Sequence, residues 1–305
     1  MKFAIESWAP DYGSAFEDDL QEAEPPAVDL TCERTPARWE PISPSPNGRA
    51  SDTILFTDGV RRVDARVWID DGDGGARAGV CASYAAGAVL CDGRARVVAA
   101  EVQRGLFTPA SGAEAIVCKH AAYPVRAAVE DSPEKLWLAV QDRMGELEID
   151  LATALPADLV IVDGPLRGRR NVAMAVGYVK THHVPYLSDE VSHVIGELQA
   201  GQRTPLFLTQ TSWSRYSWYM RLPGAEGHAW AGVVRCEAAA DMPVADAITL
   251  ADSVAVTLPR FASHAHKDAR APQNLYPIGG LERELRRRLG DPALLYRGLR
   301  VAAAA

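Results

Sequence analysis

Two carboxylates stand at matching places in this chain. Asp58 follows the apolar run Ile-Leu-Phe-Thr and Asp163 follows Leu-Val-Ile-Val, and each precedes a glycine. A charged residue directly behind a short apolar strand lies at the sheet edge where α/β proteins bind ligands, and two such residues can converge on one cation. Paired carboxylates with no Cys or His ligand cluster favour hard, oxygen-seeking ions, Mn2+ or Mg2+. Asp-Gly behind a strand is also ordinary turn chemistry, so either residue alone has a bland explanation. Glu101 ends a third strand-like run, RARVVAAEV, and three antiparallel strands would bring it close to Asp58. A carboxylate there would complete a cluster able to polarise a phosphate and activate water. An exposed strand position is the alternative for Glu101, and Glu114 competes with it.

Cationic candidates follow. Lys180, behind the apolar stretch that contains VGYVK, would meet a phosphate as a point charge or serve as a solvated strand end. His182 and His183 come next, and His264 and His266 flank Ala265 in the loop HAHKDARAPQN, which is too polar and too proline-broken to serve packing. The run Asp71 to Gly75, DGDGG, lacks the downstream Glu of a calcium loop and reads as a hairpin turn. The chain contains no G-x-x-x-x-G-K-[ST], no G-x-G-x-x-G behind a strand and no G-x-S-x-G, so nucleotide-driven work would come from a partner.

The elements that must position these residues read as mixed α/β. TILFTDGV with VDARVWID, then AGVCASYAAGAVL, then RARVVAAEV form a three-stranded antiparallel meander joined by Asp-Gly and Gly-Gly turns. A helix begins at Pro133 with Ser132 as its N-cap, and Leu136, Trp137, Val140, Met144, Leu147, Leu151 and Leu155 recur at helical steps, so it should lie across the sheet. ADLVIVDGPL reads as a strand buried on both faces. A further strand ends near Lys180, a helix spans about Asp189 to Gln199, and PLFLTQ, SWSRYSWYMRL and AWAGVVRCE supply the second half of the sheet. A helix from Asp246 to Leu258 and the short basic helix LERELRRRLG, closed by Gly290, complete the pattern.

Composition limits the function classes. At 305 residues, with 48% hydrophobic and 24% charged residues, the chain has the balance of a soluble globular protein and not of a disordered or fibrous one. Its longest apolar runs fall short of the roughly 18 to 20 residues of a membrane span, and its N-terminus has no apolar signal core, so a cytoplasmic protein is expected. Five widely spaced cysteines read as reduced thiols. The net charge of −8 argues against non-specific nucleic-acid binding until it is divided along the chain. Residues 1–52 carry four basic and eleven acidic residues, whereas 259–300 carry nine basic and four acidic ones. The first part, rich in Glu, Asp and Pro, reads as an extended acidic arm (1–52) whose Trp8 and Trp39 dock on the core or on a second subunit. Residues 53–305 read as one domain.

Asp58 in TILFTDGV, Asp163 in LVIVDGPL, Lys180 in VGYVK and a histidine in a proline-rich loop before the last helix, in that order, resemble the NurA nuclease family in its bacterial branch. The resemblance runs from about Thr53 to Arg300 and rests on the order and spacing of short motifs. It implies an RNase H-like mixed sheet with flanking helices, a homodimeric ring, Mn2+ or Mg2+ as cofactor, and DNA-end processing with a HerA-type hexameric ATPase. Residue by residue, it implies metal ligation by Asp58, Glu101, Asp163 and His266, with Lys180 or His266 steadying the phosphate or the leaving oxygen. The chain departs from the family in reading Asp-Gly-Val where Asp-Gly-Ser is common, and in its duplicated His264 and His266. Trp213, Tyr216, Trp218 and Tyr219, interleaved with Arg215 and Arg221, would either stack bases or form a core and dimer cluster. Lys267 and Arg270 are further candidates for DNA contact. Two other readings stand beside the nuclease: a non-catalytic RNase H-like scaffold that recruits the ATPase, and an enzyme acting on a small phosphate ester.

Overall fold

The computed structural model of the protein describes residues 27–304, apart from 45–48, 71–74, 170, 183, 184, 212 and 226. Trp8, His183 and most of the DGDGG turn lie outside these residues. The chain divides into two compact units. One comprises the chain up to Phe56, Leu90–Ala95 and Pro156–Gly279, and the other comprises Thr57–Val89, Arg96–Leu155 and Gly280–Ala305.

The chain enters with a short strand, β1 (Ala27–Asp29), and then forms the meander β2 (Ile54–Asp70), β3 (Ala76–Cys91) and β4 (Ala95–Thr108). These three are hydrogen-bonded neighbours. Connections of only a few residues between them permit antiparallel pairing alone, because a parallel crossover needs a dozen or more. A separate antiparallel hairpin of β5 (Ile116–Cys118) and β6 (Ala121–Tyr123) follows, and β7 (Val125–Ala127) adds to β4 in parallel. Helix α1 (Pro133–Ala154) starts as its sequence requires, with Pro133 in its first turn and the Ser132 hydroxyl accepting from Lys135 N–H at 3.3 Å. Its Leu136, Val140, Met144 and Leu147 pack on Val80, Ala82, Tyr84 and Ala86 of β3 and on Phe107 of β4, all within the second unit. Alternate residues of β3 point the other way, where Cys81 joins Leu106, Tyr123 and Leu299.

The other unit begins with β8 (Leu159–Asp163), β9 (Ala175–Val179) and helix α2 (Asp189–Glu197). Strands β10 (Phe207–Gln210), β11 (Ser214–Arg221) and β12 (Val233–Ala239) follow, then helix α3 (Val244–Thr257). Helices α4 (Tyr276–Arg288) and α5 (Pro292–Ala302) close the chain. Strand order in this unit is β1-β10-β11-β12-β9-β8, with the opening residues of β2 beside β8. Pairing is antiparallel from β1 through β9 and parallel between β9 and β8, so the sheet is mixed. Trp39 docks here: it is buried with Val191, Val194, Ile195, Phe207 and Tyr219, and its indole N–H donates to Leu30 C=O at 3.0 Å. Arg203, almost fully buried, holds Glu33 bidentately at 2.8 and 2.9 Å and Asp252 at 2.7 Å, which fastens the stretch before β2 to the sheet.

The mixed α/β class with flanking helices is as the sequence implies, and several details differ. Asp58-Gly59 is no turn; β2 runs straight through it to Asp70. Helix α4 starts at Tyr276, ahead of LERELRRRLG, and α5 has no counterpart among the expected elements. Trp218 and Tyr219 are core residues. All five cysteines are free thiols; burial, with Asp64 and Cys118 adding to it, pushes the Cys81 thiol up to about 12. No helix among the described residues is long and apolar enough to cross a membrane.

Gly177 of β9 pairs with Val162 of β8 and Glu237 of β12, and a Cβ there would stand 2.6 Å from the Leu166 backbone nitrogen. Backbone cannot yield as a side-chain tip can. Gly177→Ala should therefore lower stability by about 1–3 kcal/mol in urea unfolding, and an unchanged midpoint would show that the turn after β8 has room to move.

Candidate functional site

Parallel pairing of β8 and β9 sends both strands out at one edge, where Asp163 is the last residue of β8 and Lys180 the first after β9. That edge is where open α/β sheets bind ligands. Lys180 Nζ donates to Asp163 Oδ2 at 2.6 Å, and the lysine side chain is almost wholly buried. The other oxygen, Asp163 Oδ1, is also buried and accepts no hydrogen bond among the described residues. Leaving a buried acceptor unmet inside a protein costs about 1–3 kcal/mol, so this oxygen is poised for a donor or a cation.

The loop after α3 reaches the same place. Asn274, 1% exposed, accepts from Lys180 Nζ at 3.5 Å through Oδ1 and donates to Asp268 Oδ2 at 2.6 Å through Nδ2. The Arg270 N–H and guanidinium hold the other oxygen of Asp268 at 2.8 and 3.4 Å. Burial pushes the Asp268 carboxyl up, but the bonds from Asn274 and Arg270 and the Arg270 charge together outweigh it and hold the group below its ordinary value. Tyr178 OH donates to Gln273 C=O at 2.7 Å, and the Gln273 amide donates to Lys180 C=O at 3.3 Å, clamping the loop to the end of β9. His264 and His266 lie outside this core. Both are exposed, with rings 5.8 Å apart, and His264 Nδ1 shares a 2.7 Å hydrogen bond with Tyr276 OH. Lys267 is exposed over the Tyr276 ring.

In the second unit Asp58 is buried and accepts from Gly59 N–H at 2.7 Å. A side chain on Gly59 would collide with the Glu148 carboxylate and with Met144, so α1 crosses β2 at this glycine and brings a second buried carboxylate beside Asp58's neighbour. Glu101 is not brought to Asp58. It is exposed in mid-strand on β4, accepts from the Gln103 amide at 2.7 Å, and is separated from β2 by the whole of β3, about 10 Å in strand spacings. Glu114 is exposed in the loop after β4. The residue sequence reasoning passed over is Glu148. A detectable signal existed, because it interrupts the apolar face of α1 between Leu147 and Leu151, where a charge needs a reason.

Arg215 and Arg221 serve the interior. Arg215 lies 3.1 Å from Glu237 Oε1 and donates to Thr211 and Tyr186, while Arg235 donates to the same Glu237 oxygen at 3.0 Å. Glu237 Oε2 accepts from Leu166 N–H at 3.0 Å, which fixes the turn after Asp163. Arg221 donates to the carbonyls of Leu198, Ile195, Ala229 and Ala231.

Among the described residues no three His, Cys, Asp or Glu side chains are grouped to hold a metal ion. Mg2+-type ions do not require three, since they keep several waters and bind through one or two carboxylates plus substrate phosphates. Asp163 Oδ1, a carboxylate oxygen that is buried and accepts no hydrogen bond among the described residues, fits such a cation. No family model matches this chain, and no curated protein matches its sequence.

Glu237→Ala would leave two buried guanidiniums facing a void and should cost about 3–5 kcal/mol in chemical denaturation; a loss under 1 kcal/mol would mean the arginines repartner freely. Because the Asp268 carboxyl lies below 3.8 in the fold, its contribution to stability is complete well above that pH and fades as the pH falls through its folded value. Asp268→Asn should flatten this part of the stability–pH curve, and an unchanged curve would contradict the assignment.

Proposed function

We propose that this protein is a metal-dependent DNA nuclease of the NurA kind, with an RNase H-like sheet, working as a homodimer beside a HerA-type hexameric ATPase. The observation that carries this reading is the Asp163 carboxylate, with one oxygen held by Lys180 and the other buried and unmet. The motif order of Asp58, Asp163 and Lys180 supports it, and so does the buried Glu148 at Gly59.

Asp163 would hold Mn2+ or Mg2+ through Oδ1. Within the second unit, Asp58 and Glu148 are the buried carboxylates with which a cation could be met, and Glu148 is a stronger candidate there than the exposed Glu101. When bound, the cation supplies Lewis-acid polarisation of the phosphate and acidifies water for attack on phosphorus. Lys180 orients the Asp163 carboxylate through its 2.6 Å contact with Oδ2, and its charge favours the phosphoryl oxygens as negative charge builds on them. The exposed Lys267, His264 and His266 contact the DNA backbone, and His266 is the group for the leaving oxygen. Arg270 serves Asp268 first, and Arg215 and Arg221 act through the fold and not on DNA.

The full chain with Mn2+ should degrade linear DNA, and EDTA should stop it. Asp163→Ala, Asp58→Ala and Glu148→Gln should each lower the rate about 100-fold or more while leaving the circular dichroism spectrum unchanged, whereas Glu101→Gln should stay within about threefold. No metal-dependent cleavage, alone or with the partner ATPase, would end the nuclease reading. Loss of activity in Glu101→Gln but not in Glu148→Gln would reverse the ligand assignment.

A further inference from the structure

The deepest side chain of the polar loop after α3 is neither of its histidines but Asn274, whose amide is held from both sides. Its orientation is dictated by its partners. An ammonium only donates and a carboxylate only accepts, so Oδ1 must face Lys180 and Nδ2 must face Asp268. The amide has no freedom to flip, because Asp268 is itself fixed by two bonds from Arg270. Space is reserved for it at the start of α4, where a Cβ on Gly279 would stand 2.8 Å from Asn274 Nδ2. A buried amide with both ends engaged, one on a lysine that touches the site carboxylate, is more than loop packing requires.

We propose that Asn274, anchored by Asp268, is a positioning residue that keeps the Lys180 ammonium on Asp163 Oδ2 and so leaves Oδ1 open to a divalent cation. Lys180 carries three N–H donors on a flexible stem, and Asp163 presents two equivalent oxygens. With Asn274 Oδ1 as a further acceptor at 3.5 Å, the ammonium is held on the Oδ2 oxygen of the carboxylate. Without that acceptor, the freed donor turns toward the unmet Oδ1, spans the carboxylate and competes with the metal for it. The loop thereby sets the metal affinity of a residue more than one hundred positions earlier in the chain without contacting the metal.

This inference rests on the metal reading of Asp163, and a double-mutant cycle on Mn2+ binding separates the two. Binding is read from the loss of the free Mn2+ electron paramagnetic resonance signal as the full-length protein is titrated in. Asn274→Leu should weaken Mn2+ binding about tenfold, the scale of one charged hydrogen bond. In a Lys180→Met background, where no ammonium competes, the same Asn274→Leu change should alter binding less than twofold. Asp268→Asn, which unseats the amide without touching the buried position, should weaken binding in the same direction and keeps the test open if Asn274→Leu does not fold. Equal losses in both backgrounds would overturn the inference, because they would indicate general damage to the loop. Unchanged binding in Asn274→Leu and Asp268→Asn would overturn it while leaving the metal reading intact. Failure of the wild-type protein to bind Mn2+, or binding unaffected by Asp163→Asn, would overturn both.

Discussion

Lys180 and Asp163 meet at 2.6 Å because the parallel pairing of β8 and β9 brings both strand ends to one edge. Much of the surrounding unit serves that contact. Gly177 lets the turn after Asp163 close over β9, and the Leu166 N–H is secured by Glu237. Glu237 is held in turn by Arg215 and Arg235, whose guanidiniums lie over the rings of Trp213 and Tyr186. Gln273 and Asn274 close the other side. An ammonium and a carboxylate taken out of water are expensive unless every polar atom is met, and here one is not.

Comparison with another buried carboxylate gives that exception its weight. Asp64, on β2, accepts from Ser83, Tyr123 and Arg62, so both of its oxygens are engaged and it reads as a structural cross-link. Asp163 is equally anchored on one oxygen and bare on the other. Asp64, with a fully buried side chain, and Asp163, 11% exposed, thus differ in whether one carboxylate oxygen is left without a partner. Glu33 and Glu237 fall with Asp64, since both are consumed by buried arginines.

The sequence made the elements legible where periodicity and capping agree. Ser132 and Pro133 open α1, and the apolar run ending at Asp163 is a buried strand with a glycine turn, Gly164 having φ of +96°. It misplaced residues whose meaning depends on what crosses them. Asp58-Gly59 resembles a strand end, yet the glycine is there so that α1 can pass, a tertiary reason that local turn chemistry cannot express. Strand counting brings Glu101 toward Asp58, but β3 lies between their strands, and the carboxylate that comes against Gly59 is that of Glu148, from a helix. In HAHKDARAPQN the histidines draw attention by type, while burial selects Asp268, Gln273 and Asn274. Reactivity is a property of side-chain type, whereas burial is a property of the fold, and only the first is written residue by residue.

Anomalous diffraction from crystals soaked in Mn2+ reads the Asp163 site itself. A manganese peak is expected at bonding distance from Asp163 Oδ1, with Lys180 Nζ still on Oδ2 and Asn274 still between Lys180 and Asp268. Absence of manganese from Asp163 at saturating concentration, or a Lys180 ammonium spanning both carboxylate oxygens, would contradict it.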